Sequence, residues 1–513
     1  MLVSELSRKL DLVLLPPAGG GAEDVELKGV SADSREISPA FLFGALKGSA
    51  ADGRGFIGKA VSRGAAAVLL EPPDVSGDYF RLVTKKGADL REKLADSARL
   101  VYGEPDLKLV TVGVTGTNGK STTVYLLERV LRDLGLEPGV MGTVDYHWKG
   151  EKRKAPNTTP EGPLFYRSLK EMRDAGAKSS IMEISSHALA LKRIGALKCS
   201  YALFTNLSRD HLDFHRDMED YFSAKKKLFT DHLKDQGSGP RAAVNADDPY
   251  GERLKAELKE KALSYGFRKG EARGRILEES RNGIKLEARI NGGKYLIESG
   301  LLGAFNAENL LGAFALASLI SDRPDFIAES LSAAEGAPGR MSRVGRDPRY
   351  LVLVDYAHSP GALEKVVSAS LRLLGGRGRL LCLFGCGGDR DRGKRPEMAK
   401  AAALAHLPLL TSDNPRTEDP ERILDDAEKG LIAAGLKRAS HEELKKGFEK
   451  GVYLREPDRG KALRLGADLL EKDDVFLVTG KGHEDYQIVG RETRPFDDSL
   501  ISLEALRSFH KDG

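Results

Sequence analysis

The residues Thr115-Gly-Thr-Asn-Gly-Lys-Ser121 follow an apolar, strand-like run, Leu109-Val-Thr-Val-Gly-Val114, and lead into a helical pattern, Ser121-Thr-Thr-Val-Tyr-Leu-Leu-Glu-Arg-Val-Leu131. A glycine-bearing turn from strand to helix brings backbone N–H groups and a helix N-terminus to one point, which is an anion cradle. In such a loop Lys120 reaches terminal phosphates and the Ser121 hydroxyl ligates Mg²⁺, so ATP is the leading ligand. The strict order of glycine, four residues, then Gly-Lys-Ser/Thr is not met, because Val114 holds the first glycine position and Gly113 stands one place early. The plain alternative is a connecting turn at Gly116 and Gly119. Gly393-Lys394 is followed by Arg395, not Ser or Thr, and is not read as a second phosphate loop.

The chain has room for roughly two to four domains. Residues 1–107 begin with an amphipathic stretch from Ser4 to Leu15 and continue with small apolar clusters such as Gly64-Ala-Ala-Ala-Val-Leu-Leu70, the material of a small α/β domain. Gly103-Glu-Pro-Asp106 interrupts both periods and reads as a linker. From Leu109 onward, strand-like runs end in polar residues, as in Ile181-Met-Glu-Ile184 before Ser185-Ser-His187, with helical segments between them. That alternation specifies a mainly parallel sheet under helices, with ligands at the carboxyl ends of its strands. Asn282-Gly283 and Asn291-Gly292 predict a small antiparallel appendage. A boundary near Gly336, Pro338 and Gly339 precedes a second α/β series, giving an α/β fold of three domains at 1–107, 108–336 and 337–513.

A net charge of +4 is small for this length and argues against a general nucleic-acid binder. No apolar run approaches the roughly 18 residues of a membrane span, and no secretory leader is legible, so a cytoplasmic protein without membrane insertion is expected. Three cysteines make no disulfide framework, and Cys382 and Cys386 read as buried thiols.

Glu183 ends a strand-like run and suits Mg²⁺ together with Ser121, while His211 is available to a second ion or merely braces its loop. In the last third, Asp389-Arg-Asp-Arg-Gly-Lys-Arg395, Asp413-Asn-Pro-Arg416 and Gly480-Lys-Gly-His-Glu484 each follow an apolar run. Arginine forks bind carboxylates bidentately, so Arg390 and Arg416 with Glu484 would clamp a zwitterion; a surface charge run is the alternative.

These motifs, with Asn157-Thr-Thr159, Phe204-Thr-Asn-Leu-Ser-Arg-Asp-His211, residues 306–309 and Asp355-Tyr-Ala-His358, keep an order over nearly the whole chain that resembles the Mur ligases. The resemblance implies an N-terminal domain for the UDP end of the substrate, a central ATPase and a C-terminal Rossmann-like domain for the incoming amino acid. It implies ATP-dependent amide formation through an acyl phosphate, in peptidoglycan precursor synthesis, on small molecules; a monomer is expected. By resemblance Lys120, Glu183, His211 and a carbamylated Lys225 are catalytic, with Ser121, Glu183, His211 and Lys225 around the metal. ATP is assigned to Thr115, Gly116, Thr117, Asn118, Gly119, Lys120, Ser121, Asn309, Arg340 and Asp355. The UDP-N-acetylmuramoyl-dipeptide falls to Ser34, Ser49, Ala50, Ala51, Asn157, Thr158, Thr159, Ser185 and Arg193. The amino-acid pocket is Arg390, Asp413, Asn414, Pro415, Arg416, Gly480 and Glu484. Within the family Asp-Asn-Pro-Arg marks addition of meso-diaminopimelate, whose distal carboxylate gives Arg416 a partner. Read without the resemblance, Lys225 followed by Lys226 and Lys227 is a solvated helix face. A lysine-adding ligase, which usually lacks the arginine at 416, a folylpolyglutamate-synthase-like ligase and a regulatory nucleotide switch are the alternatives. The switch lacks its Asn-Lys-x-Asp guanine signature.

Overall fold

The computed structural model describes residues 1–19, 23–48, 51–73, 75–234 and 239–509. Backbone contacts divide the chain into two compact units: Met1–Gly274 with Ala288–Tyr295 and Asn309–Leu331, and Arg275–Glu287 with Leu296–Glu308 and Ser332–Gly513.

The first unit contains two sheets. The N-terminal one has five strands in the order Val13–Leu15, Phe80–Val83, Ala65–Leu70, Phe41–Gly44, Gly29–Ser31. The first pair is antiparallel and the others are parallel. Helix Leu90–Val101 starts on the Asp89 carboxylate, which accepts the Glu92 N–H, and buries Leu90, Leu94, Ala95 and Ala98. A Cβ on Gly44 would lie 2.4 Å from Leu94 Cδ2, so the glycine lets this helix lie close against the sheet. The amphipathic stretch at the N-terminus is helical only over Val3–Leu10: Asp11 turns left-handed (φ 54°) and Val13–Leu15 becomes a strand.

In the second sheet Val110–Thr115 lies between the parallel strands Ser179–Glu183 and Tyr201–Phe204. Further parallel strands, Pro138–Met141 on one side and Ala242–Asn245 with Ala262–Gly266 on the other, extend the sheet, and successive residues of its central strands are buried whichever face they point to, which is why these segments read as continuous apolar runs. The appendage comprises Ala272–Ser280, Gly283–Ile290 and Gly293–Ser299, with residues assigned to both units. Its second turn is the expected Asn291-Gly292, both at positive φ; its first is Arg281-Asn282, and Gly283 already begins a strand.

At the sheet edge, hairpin strand Asp145–Trp148 carries His147 between two carboxylates, Asp145 and Glu128, the latter on helix Lys120–Asp133. Burial alone would lower the His147 pKa, but the two anions prevail and raise it to about 9. The edge hairpin is thereby tied to the helix that leaves the phosphate loop.

The second unit is a doubly wound sheet of seven strands in the order Ser342–Arg343, Leu351–Asp355, Val475–Thr479, Leu380–Cys386, Leu407–Ser412, Val452–Arg455, Lys437–Arg438. All pairs are parallel except the first. Leu363, Val367, Leu424 and Leu431 contribute to the core on one face, and Leu463, Ala467 and Leu506 to the core on the other. The hairpin Tyr486–Val489 and Glu492–Pro495 is the separate antiparallel piece. Cys199, Cys382 and Cys386 are buried free thiols.

Candidate active site

The loop of residues 116–119 leaves the carboxyl end of Val110–Thr115, with Gly116 (φ 146°) and Gly119 (φ 87°) in conformations that side chains resist. Neither has space for a Cβ: it would lie 1.9 Å from Thr205 Oγ1 at Gly116 and 2.2 Å from Asn309 Oδ1 at Gly119. Asn309, on helix Ala304–Ile320, therefore abuts the loop directly. The neighbouring strand end fixes the loop further. Thr117 N–H donates to Asn206 O at 2.8 Å, Asn118 N–H to Asn206 Oδ1 at 3.0 Å, and Thr205 Oγ1 to Asn118 O at 2.7 Å.

Two lysines converge on one carbonyl here. Lys120 Nζ donates to Gly116 O at 3.0 Å and Thr117 O at 2.9 Å, and Lys225 Nζ to Gly116 O at 2.8 Å. Lys225 is buried on helix Met218–Thr230, contrary to the solvated face read from its lysine run. Its helix turns Tyr221, Phe222, Ala224, Leu228 and Phe229 to the core, and Lys225 lies on that stripe. Burial, reinforced by the Lys120 cation, drives its amine well below the ordinary lysine pKa.

Glu183 ends the next strand and is buried. Thr143 holds both carboxylate oxygens, its N–H donating to Oε1 at 2.9 Å and its hydroxyl to Oε2 at 3.0 Å. Thr159 Oγ1 donates to Glu183 O at 2.7 Å and accepts the Ser185 N–H at 3.0 Å, while Thr158 bonds the Thr143 hydroxyl at 3.0 Å. Arg193 donates to Thr159 O at 3.3 Å, and Tyr146 donates its hydroxyl to Asn157 O. Thr158, Thr159 and Ser185 are thus linked to Glu183 directly or through one bond, and Arg193 joins them through Thr159. His211 (φ 55°) is exposed and lies edge-on to His187, ring centroids 4.9 Å apart.

Ser34 and Ala51 follow the adjacent parallel strands Gly29–Ser31 and Phe41–Gly44 of the N-terminal sheet. Ser49 and Ala50 lie outside the described residues.

The second unit carries the other predicted residues at the carboxyl ends of its strands. The buried Asp355 accepts the N–H groups of Met341 and Ala357, each at 2.8 Å, and Arg340 lies over the Tyr356 ring, 4.7 Å from its centroid. Burial raises the Asp355 pKa. Arg416 (φ 51°) donates to Gly388 O at 2.8 Å. A Cβ on Gly387 would lie 3.1 Å from Arg416 Nη1 and 3.5 Å from Arg390 Cγ, so the two arginines flank this glycine. Beneath them Asn414 Nδ2 donates to Glu484 Oε2 at 3.1 Å, and the buried Lys481 lies 3.5 Å from Asp413 and 3.7 Å from Glu484. A Cβ on Gly480 would lie 3.7 Å from the Asp413 carboxylate, and one on Gly388 would strike Pro415 O at 1.8 Å.

Buried charges that local sequence did not single out hold this arrangement. Arg459 pairs with Asp498 at 2.5 Å and donates to Thr479 O and Ser412 O, clamping two strand ends. Arg395 joins Glu418 at 2.8 Å, Asp426 at 3.1 Å and Gly387 O at 3.4 Å.

Three family models match the chain: "Mur ligase family, catalytic domain" over residues 26–96, "Mur ligase middle domain" over 114–317 and "Mur ligase, glutamate ligase domain" over 339–482. A Geobacter sulfurreducens protein named UDP-N-acetylmuramoyl-L-alanyl-D-glutamate–2,6-diaminopimelate ligase is 40% identical, covering 99% of each chain. An Aquifex aeolicus protein of the same name is 39% identical over 94% of each. A solved structure of a ligase with that name superposes with a TM-score of 0.64 at 31% identity, covering 94% of this chain and 95% of the other. A Thermotoga maritima MurF ligase in complex with ADP, 18% identical with a TM-score of 0.61 over 95% of this chain and 98% of its own, shares the fold. With a phosphate loop, a neighbouring strand-end carboxylate and an arginine-rimmed acidic pocket on such a fold, the chain belongs to the Mur ligase family.

Proposed function

We propose that the protein joins meso-2,6-diaminopimelate to the D-Glu γ-carboxylate of UDP-N-acetylmuramoyl-L-Ala-D-Glu, converting ATP to ADP and phosphate, in peptidoglycan precursor synthesis. The observation that carries this reading is one chain combining a Lys120 phosphate loop beside Glu183 with a pocket of Arg416, Asp413 and Glu484 suited to a zwitterion. The γ-carboxylate attacks the γ-phosphorus of ATP, ADP leaves, and an acyl phosphate forms. The diaminopimelate amine then attacks the acyl carbon, the C–O bond breaks, phosphate departs, and the amine loses a proton.

Lys120 and the N-terminus of the helix it begins carry the β- and γ-phosphates. Asn309 takes the adenine, Asp355 the ribose and Arg340 the γ-phosphate. The donors around the loop fit Mg²⁺: a buried carboxylate oriented by two hydrogen bonds and a serine hydroxyl, with no group of three His, Cys, Asp or Glu among the described residues to complete a protein cage. Mg²⁺ commonly fills its remaining positions with phosphate and water. Ser121 and Glu183 hold one ion, and His211 and Lys225 serve a second; bound metal supplies positive charge where two anions must approach.

Lys225, whose burial beside Lys120 disfavours the ammonium, takes up CO₂ on its amine by forming an N–C bond and releasing a proton. The carbamate keeps an N–H for Gly116 O and is an anion beside Lys120. Intact mass in bicarbonate checks this by a gain of one CO₂, which Lys225→Met should lack.

Ser34, Ala51, Asn157, Thr158, Thr159, Ser185 and Arg193 bind the nucleotide-sugar dipeptide, with Ser49 and Ala50 as further contacts. Residues 1–107, 108–336 and 337–513 form the UDP-substrate, ATP and amino-acid domains of a cytoplasmic monomer. No helix among the described residues is long and apolar enough to cross a membrane. Phosphate release from purified protein supplied with ATP, UDP-muramoyl-dipeptide and either diaminopimelate or lysine tests the function; faster turnover with lysine would overturn the pocket assignment.

A further inference from the structure

Lys481 follows strand Val475–Thr479 and is completely excluded from solvent. Its Nζ donates to Asn414 Oδ1 at 2.9 Å and to Tyr486 O at 2.7 Å. An ammonium has three N–H donors, so one is left toward the carboxylates of Asp413 and Glu484, at 3.5 and 3.7 Å. Burial lowers the Lys481 pKa, and the Asp413 carboxylate opposes that shift.

Lys481 also orients a neighbour. Asn414 Oδ1 accepts from both Lys481 and the Ile488 N–H at 2.9 Å, which directs Nδ2 to Glu484 Oε2. Asp413 Oδ1 is buried and accepts no hydrogen bond among the described residues. Arg459 drops out of the charge count because Asp498 neutralises it. The floor then holds two carboxylates and one ammonium, with the Arg416 guanidinium at its rim. Without Lys481, two neighbouring anions would draw in a proton or repel a ligand carboxylate.

We infer that Lys481 is a positioning residue for the acceptor amino acid: it cancels one of the two pocket carboxylates and sets the Asn414 amide, so that the pocket accepts one ammonium and one carboxylate together. The inference rests on the diaminopimelate reading and deepens it.

The test compares full-length wild type, Lys481→Met, Lys481→Gln and the double variant Lys481→Met/Asp413→Asn. Steady-state phosphate release is measured with each of the three substrates varied, together with the rise in melting temperature on adding diaminopimelate. Loss of a charged hydrogen-bonding partner predicts a rise of about 30-fold in the diaminopimelate KM of Lys481→Met, with the other two KM values within about 3-fold. Removing the now uncompensated charge in the double variant should recover about 10-fold and restore the ligand-induced thermal shift. Lys481→Gln, which keeps a donor without the charge, should fall between wild type and Lys481→Met. If Lys481→Met does not fold, the Gln and double variants carry the comparison. An unchanged diaminopimelate KM, or a parallel rise in all three KM values, overturns the inference alone. Wild type that neither turns over nor is stabilised by diaminopimelate overturns the functional reading with it.

Discussion

In the phosphate-loop site the backbone carries most of the architecture: two glycines without space for a Cβ, a loop bonded along its length to a neighbouring strand end, and two lysines meeting at the Gly116 carbonyl. In the proposed amino-acid pocket side chains carry it, through Lys481, Asp413, Glu484, Arg459 with Asp498, and Arg395 with Glu418. A loop whose main-chain groups are held from several sides tolerates little change in conformation, whereas a pocket of balanced charges is sensitive to each charge it loses. The two should therefore fail in different ways when single groups are removed.

The largest effect is expected from Lys120→Ala, which takes away the cation proposed for the terminal phosphates and should lower phosphate release by at least about 10³-fold. If the sites are separable, the thermal shift from diaminopimelate should persist in that variant. Arg416→Ala is the converse: the diaminopimelate KM should rise about 100-fold while the KM for ATP moves less than about 3-fold. Lysine, lacking the distal carboxylate, should be nearly indifferent to the change. Equal losses for both amino acids would remove Arg416 from selection.

Arg459→Met tests whether buried charge supports the pocket's scaffold. It strands Asp498 without its partner and should cost about 3 kcal/mol, read as a lower midpoint in chemical denaturation. The smallest effect lies at the edge hairpin. His147 has its pKa raised to about 9 from 6.5, so its stabilisation is fully present below pH 6.5 and is lost as pH rises through about 9. The full shift corresponds to about 3 kcal/mol; His147→Gln, which keeps an amide to bond the carboxylates, should cost about 1–2 kcal/mol at pH 6 and little at pH 10, from denaturation midpoints at the two values.

The same contrast explains what the sequence disclosed. The strand–loop–helix that carries the proposed phosphate site was legible because its glycines, lysine and serine are contiguous and flanked by apolar runs of strand and helix period. Glu183 was legible from its place at a strand end. Thr143 was not, since a threonine bonding a carboxylate forty positions away leaves no local trace. Lys481, Arg395 and Arg459 resemble surface residues in any short window, and only tertiary packing takes them out of water. Lys225 lies between these cases. Its lysine run suggested solvent, yet Tyr221, Phe222, Leu228 and Phe229 stand at helical spacing around it, a pattern that marks a buried face.

The Gly388–Pro415 approach also limits how this ligase can evolve. With 1.8 Å between an added Cβ and the Pro415 carbonyl, the two loops under the arginine rim lie back to back. A lineage seeking a longer or shorter amino acid would not find it easy to deepen this mould; it would have to exchange the groups at its rim, one side chain at a time.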